Sequence, residues 1–234
     1  SNEISKGRMS FGPALMENYA KFAAAYDVGV IFWNSAKIAL LASFFTLLVS
    51  SLAGYGFEVF SSKLRERIYR GVLLSMMIPF AALMIPMFIL MATTDLIDTH
   101  LAVILPTVAS AYLIFYFRQS SKAFPPELRE AARIDGLKEW QIFFFVYMPV
   151  MRSTYAAAFI IVFMAAWNSF LWPLIVLQSN ELKTITLVLS SLNSAYKPDF
   201  GVVMVATVLA TLPTLAVFFA MQRRFVEGML GSVK

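Results

Sequence analysis

Residues 123–152 read AFPPELREAARIDGLKEWQIFFFVYMPVMR. Pro125 and Pro126 fix a helix start, Glu127 and Glu130 place negative charge in its first turn against the macrodipole, and Gly136 is a natural C-terminal stop. A second helix is predicted from about Lys138 to Tyr147, with Pro149 marking its end. Trp140, Phe143, Phe144 and Tyr147 recur at helical spacing and predict one aromatic face. Ala131 and Ala132, set between charged neighbours, leave a small flat spot where another backbone or side chain could come close. Taken alone, this stretch also fits an amphipathic helix lying on a membrane surface.

The flanking sequence decides where such a segment can sit. Of 234 residues, 59% are hydrophobic and only 14% charged, with a mean hydropathy of +0.72. A bilayer core about 30 Å thick needs roughly 20 apolar residues of helix. Five stretches approach that length: Ile38–Phe57, Gly71–Ala92, Leu101–Phe117, Thr154–Leu177 and Gly201–Ala220. Too little polar sequence remains to coat five such helices in water, so the predicted fold is all-α, a polytopic bundle of transmembrane helices.

The positive charges are uneven. Lys63, Arg65, Arg67 and Arg70 crowd the link after the first span, and Arg118, Lys122, Arg129, Arg133, Lys138 and Arg152 the third link. The second link, 93–100, holds Asp95 and Asp98 without Lys or Arg; the fourth, 178–200, has only Lys183 and Lys197. The tail, 221–234, carries Arg223, Arg224 and Lys234. The positive-inside rule then puts the first and third links and the C-terminus in the cytoplasm. Five spans ending inside must begin outside, so residues 1–30 become a periplasmic lead-in. Because that lead-in is polar, includes Lys6, Arg8 and Lys21, and lacks an apolar signal core, we expect a sixth, N-terminal span upstream.

No repeat, charge block or long Ser/Gly linker divides the chain, which predicts one transmembrane domain over 1–234. Prolines 79, 86, 106, 173 and 213 fall inside the predicted spans, where they bend helices and free carbonyls. Asn168, flanked by Trp167 and Trp172, sits mid-span; its amide either contacts a hydroxylated substrate or ties two helices together, and the tie is the more ordinary use. His100, alone at a membrane edge, reads as a surface residue rather than a metal ligand. With one histidine and no cysteine, no catalytic constellation or metal cluster is predicted. No span holds Asp, Glu or His, which argues against a proton- or sodium-driven secondary transporter. A non-transporting membrane scaffold stays compatible with composition alone.

Spacing narrows the choice. Glu130-Ala131-Ala132, three residues, Gly136, nine residues, then Val146-Tyr147-Met148-Pro149 resembles the EAA signature of binding-protein-dependent ABC importer permeases, EAA-x3-G-x9-I-x-L-P. Pro126-Glu127-Leu128 before it and Asp135-Gly136 within it resemble the carbohydrate branch, the maltose and glycerol-phosphate type. So do Asn34-Ser35, the run Trp167-Asn168-Ser169-Phe170-Leu171-Trp172-Pro173-Leu174, the run from Gln222 to Gly228, and the closing Val233-Lys234. The likeness covers essentially the whole chain. Val146, Met148, Leu137 and Ser153 depart from the usual residues and bear on fine docking geometry.

The resemblance implies a multi-pass bacterial inner-membrane permease of type I importer architecture, with six spans and a cytoplasmic N-terminus. Residues 123–149 would form the cytoplasmic coupling loop that docks on an ATPase. Glu130 would make a charged contact, Ala131 and Ala132 would permit close approach, Asp135 would cap or brace the turn, Gly136 would fix it, and Pro149 completes the motif. The aromatic face would anchor the loop to the spans. Trp167, Asn168 and Trp172 are the expected substrate-path residues. Implied partners are a second, different permease, two ATP-binding subunits and a periplasmic or extracellular solute-binding protein, besides membrane lipid and no nucleic acid. No G-x-x-x-x-G-K-[ST] occurs, so ATP and Mg would be bound by the partner subunits and this chain would not be an enzyme.

Overall fold

The computed structural model describes residues 14–196 and 198–230, with residues 223–230 described as backbone only. All regular structure among the described residues is helical. The basic residues Lys6, Arg8, Lys197, Arg223, Arg224 and Lys234 therefore lie outside the described side chains, as do most of the lead-in's first half and the contacts of the tail.

Helix α1 (Ala14–Ala25) precedes α2 (Val28–Val59), where the Asp27 carboxylate caps the first turn by accepting from the Val30 N–H at 3.1 Å. The predicted polar lead-in is thus partly a packed helix: Phe22 is fully buried among Ile31, Phe163 and Val202. Next come α3 (Lys63–Ser75), α4 (Phe80–Thr93), α5 (His100–Ile104) and α6 (Ala111–Ser121). The third link forms α7 (Pro126–Ile134), α8 (Glu139–Ile142), a π turn (Phe143–Tyr147) and α9 (Met148–Val150). Then follow α10 (Arg152–Trp167), α11 (Leu171–Val176), α12 (Ile185–Asn193) and α13 (Phe200–Leu230).

The long α2 is central, packed on α6 and α10, while α10 packs on α13. Ser43, Thr46, Ser50, Ser51 and Gly54 are buried along α2, and such small residues let helices approach closely in lipid. At Gly54 the approach is tightest: an added Cβ would lie 2.7 Å from the Arg118 nitrogen and 2.7 Å from the Phe117 Cβ.

Among the described residues, only α2 and the Phe200–Gln222 part of α13 are single helices long and apolar enough to cross a membrane. The other predicted spans are not continuous. Gly71–Ala92 breaks between α3 and α4 with a 103° bend, because Pro79 donates no N–H and disfavours a helical Ile78. Leu101–Phe117 bends by 42° at Val108–Ser110, after a 3-10 turn containing Pro106. Thr154–Leu177 stops at Trp167 and resumes at Leu171. Pro86 and Pro213, by contrast, stay inside α4 and α13. The fourth link is no open loop either, since α12 buries Ile185, Leu187 and Val188.

Contacts sort the links to the two ends of α2. Near its start, the Asn34 amide donates to the carbonyls of Glu181 (2.7 Å) and Lys183 (3.3 Å), and the Ser35 hydroxyl accepts from the Ile185 N–H at 2.9 Å. The Asp98 carboxylate, on the second link, accepts from the N–H groups of Gln178 (2.8 Å) and Ser179 (2.9 Å) and from the Ser179 hydroxyl. At the far end, Arg118 on α6 reaches Glu58 on α2 (3.2 Å) and Glu66 on α3. The two acidic or neutral links therefore meet at one end, and the two basic links at the other.

Candidate functional site

At the basic end, α7 and α8 form a hairpin of short helices. Gly136 turns it with φ +83°, a conformation that costs a side-chain-bearing residue but not glycine. The Gly136 N–H donates to the Arg133 carbonyl and the Leu137 N–H to the Ala132 carbonyl, each at 3.0 Å, which is the Schellman pattern of a glycine-terminated helix. Asp135 occupies the C-cap with its carboxylate exposed and without a hydrogen bond among the described residues. It does not brace the turn.

Glu139 does. Its carboxylate accepts from Arg129 through Nε (3.3 Å) and Nη2 (3.0 Å), and from Arg133 Nε at 2.7 Å. Arg129 and Arg133 stand four residues apart on one face of α7, and Glu139 opens α8. That arrangement was legible as an i, i+4 pair of arginines facing an acid across a glycine, although the sequence alone does not say which acid they choose.

The second helix departs from its predicted form. It does not end at Pro149. Instead, the chain widens into a π turn at Phe143–Tyr147, where the Met148 N–H donates to the Phe143 carbonyl, and continues to Val150. Pro149 donates no N–H and its ring would collide with the Phe145 carbonyl in an α turn; the wider turn relieves both problems. Widening also splits the predicted aromatic face: Phe143 and Tyr147 are buried, whereas Trp140 and Phe144 are exposed. Tyr147 packs at 4.7 Å (ring centroids) from Tyr55 on α2 and at 5.3 Å from Phe124. The Ser121 hydroxyl donates to the Phe117 carbonyl (2.7 Å), so the Tyr147 hydroxyl, 2.6 Å away, donates to Ser121. The hairpin is thereby fixed to the ends of α2 and α6. On its outer side Glu130 and Ala131 are exposed, while Ala132 is buried against the hairpin.

A cavity of about 680 Å³ lies in the apolar part of the bundle. All three helix breaks open onto it, through Phe80, through Pro106, Thr107 and Ser110, and through Ser169, Phe170 and Leu171. Freed carbonyls find hydroxyl donors on other helices: Thr46 donates to Thr107 (2.9 Å) and Thr186 to Ser169 (2.8 Å). Trp172 lines the cavity, its Nε1 held by the Ala102 carbonyl at 2.8 Å. Trp167 is instead buried in the core, donating Nε1–H to the Ala210 carbonyl at 3.0 Å. Asn168 is neither mid-span nor a tie between helices. It caps the end of α10, exposed, with its amide donating to the Met164 carbonyl of its own helix at 2.8 Å. His100, half-buried, lies with Nε2 3.3 Å from the Leu182 carbonyl.

Solved structures share this fold. A bacterial ABC transporter involved in the import of the acidic polysaccharide alginate superposes with a TM-score of 0.80 at 20% identity, over 89% of this chain and 79% of that one. The MetNI methionine ABC transporter follows with a TM-score of 0.64 at 17% identity, over 84% and 93%. Sequence relatives are nearer. The lactose transport system permease protein LacG of Rhizobium radiobacter is 68% identical over 234 residues, all of this chain and 86% of that protein. The arabinooligosaccharides transport system permease protein AraQ of Bacillus subtilis is 39% identical over 87% of this chain and 73% of that protein. The sn-glycerol-3-phosphate transport system permease protein UgpE of Pectobacterium atrosepticum is 34% identical over 88% and 74%. The family described as binding-protein-dependent transport system inner membrane component matches residues 31–231, and the chain, an all-helical membrane permease subunit, belongs to it.

Proposed function

We propose that this permease forms half of a path for a lactose-like disaccharide or short oligosaccharide, driven by a cytoplasmic ATPase through the α7–α8 hairpin. The observation that carries the coupling role is a rigid, outward-facing unit: a hairpin locked internally by Glu139, Arg129 and Arg133, and fixed by Tyr147 to Tyr55 and Ser121. A lever must not deform when pushed. Glu130 and Ala131 are the contact residues for the ATPase, with Gly136 setting the angle between the helices. Asp135, exposed beside Gly136, serves as a surface contact rather than a brace. Pro149 sets the π turn that presents Tyr147 inward.

The carbohydrate reading is supported by the lactose, arabinooligosaccharide and glycerol-phosphate relatives. The cavity is within the range of about 300–1,000 Å³ usual for small-molecule sites. Trp172 offers an aromatic surface there. Asn168 and Trp167, the other substrate-path candidates, lie off that cavity, so we assign them an indirect part. The basic end is the cytoplasmic one by the positive-inside rule, which also sends the C-terminal tail inward. The remaining subunits are a second permease of different sequence, two ATP-binding subunits that carry ATP and Mg, and an external solute-binding protein. ATP binding biases the bundle between inward-open and outward-open states by favouring one hairpin position. Residues 1–234 act as one transmembrane domain.

The test is ATPase activity and lactose uptake in proteoliposomes of the co-purified complex, wild type against Gly136→Arg. Loss of ATPase association and uptake together, with the membrane subunits still assembled, supports coupling through the hairpin. Uptake that persists without an ATPase refutes it.

A further inference from the structure

Helix α3 divides its charges by direction. Its one acid, Glu66, turns inward to Arg118, which also sits over the Tyr69 ring at 4.0 Å. Tyr69 is the buried residue of this helix. The outward side is left with Lys63, Arg67 and Arg70 at i, i+4 and i+7, one cationic stripe along the helix, and with Leu64 and Ile68 at i and i+4 beside it. Leu64 and Ile68 are 65% and 51% exposed. Lys63 and Arg67 have no ion-pair partner among the described residues, and Arg70 only donates Nε–H to the Glu66 carbonyl of its own helix. Arg65 is occupied elsewhere, bonded to the Phe60 carbonyl and set over the Phe60 ring.

The bend gives this stripe a place. Helix α4 is apolar, with Leu83, Ile85, Ile89 and Leu90 exposed as lipid-facing residues are. If α4 stands upright in the bilayer, a 103° bend lays α3 nearly flat on the surface beside it. An amphipathic helix in that plane keeps its apolar residues at the acyl boundary and its cations at the headgroups. We propose that the outer face of α3 is a docking surface for anionic phospholipid headgroups, held by Lys63, Arg67 and Arg70 with Leu64 and Ile68 anchored beneath. The argument for lipid over an acidic protein is continuity: exposed Leu74, Met76, Met77 and Ile78 carry an apolar surface from α3 across the break to the exposed residues of α4, and the exposed Leu64 and Ile68 beside the cations suit an acyl boundary better than a charged protein surface. The inference rests on the permease reading only in placing α4 in a bilayer.

The chain has no cysteine, so Ile68→Cys can carry a unique fluorophore within it. The complete complex is placed in vesicles of phosphatidylcholine and phosphatidylglycerol, with the brominated acyl chains on one lipid or the other. We expect brominated phosphatidylglycerol to quench several-fold more than brominated phosphatidylcholine at equal content, with K63Q/R67Q/R70Q abolishing the preference. A label at Leu64→Cys should repeat the result if Ile68→Cys disturbs folding. Equal quenching by both lipids overturns headgroup selection, and no quenching by either means that protein covers this face and overturns the proposal. Uptake measured in the same vesicles separates the two ideas, since intact ATP-driven uptake without quenching selectivity refutes the lipid site alone.

Discussion

Arg129 and Glu139 face each other across the Gly136 turn, joined by two N–H···O contacts of 3.0 and 3.3 Å. The pair converts two short helices, neither stable by itself, into one rigid hairpin, because each helix supplies a charge that the other needs. Arg133, more exposed, adds a second guanidinium to the same carboxylate.

Glu139→Gln should therefore loosen the hairpin more than Arg133→Gln. Exposed ion pairs contribute roughly 1 kcal/mol or less, so folding of the whole chain will barely change. The effect should appear as faster hydrogen exchange in 126–142 and as ATP hydrolysis less tightly coupled to uptake. Unchanged exchange in that segment would remove Glu139 from its bracing role.

Gly136→Ala tests conformation without crowding, since an added Cβ meets nothing within 4 Å. The positive φ alone should cost about 1–2 kcal/mol, and Gly136→Asn less, because asparagine tolerates the left-handed region. Thermal melting of the purified complex with the two variants side by side would reveal that order.

Gly54→Ala pushes a methyl into the backbone of α6 at Arg118. Separating α2 from α6 should destabilise the bundle by about 1–3 kcal/mol and pull Arg118 from Glu58. A detergent melting curve for Gly54→Ala that overlays the wild type would show the crossing to be looser than 2.7 Å implies.

Asp98 links two loops at the acidic end. Hydrogen bonds from the Ser179 hydroxyl and from the Ser179 and Gln178 N–H groups hold its carboxyl below the ordinary carboxylate range. A lowered pKa means that the ionised form is favoured by folding. The contribution is present above the ordinary value and disappears as pH falls through the lowered one. Protection of the Gln178 and Ser179 amides, corrected for intrinsic exchange, should thus hold at neutral pH and fall below about pH 4. Asp98→Asn, which still tolerates the left-handed φ of 59° at this position, should lower that protection at neutral pH and flatten its pH dependence.

The sequence by itself determined the class of the protein and the place of its hairpin. Five apolar stretches demand lipid, unequal basic links separate the two ends, and the proline start and Gly136 stop define α7 because these residues act through their own backbones. Tertiary structure decided what depends on distant partners. Glu139 rather than Asp135 braces the turn because only Glu139 meets Arg129 and Arg133 after the chain reverses. Phe143 and Tyr147, not Trp140 and Phe144, are buried because the π turn ahead of Pro149 rotates the helix. Asn168 bonds within α10, and Trp167 reaches Ala210, because the helix stops just where hydropathy continues. Hydropathy records how apolar a stretch is; whether its backbone can afford to break depends on hydroxyls such as Thr46 and Thr186, far away in sequence, that satisfy the carbonyls left open.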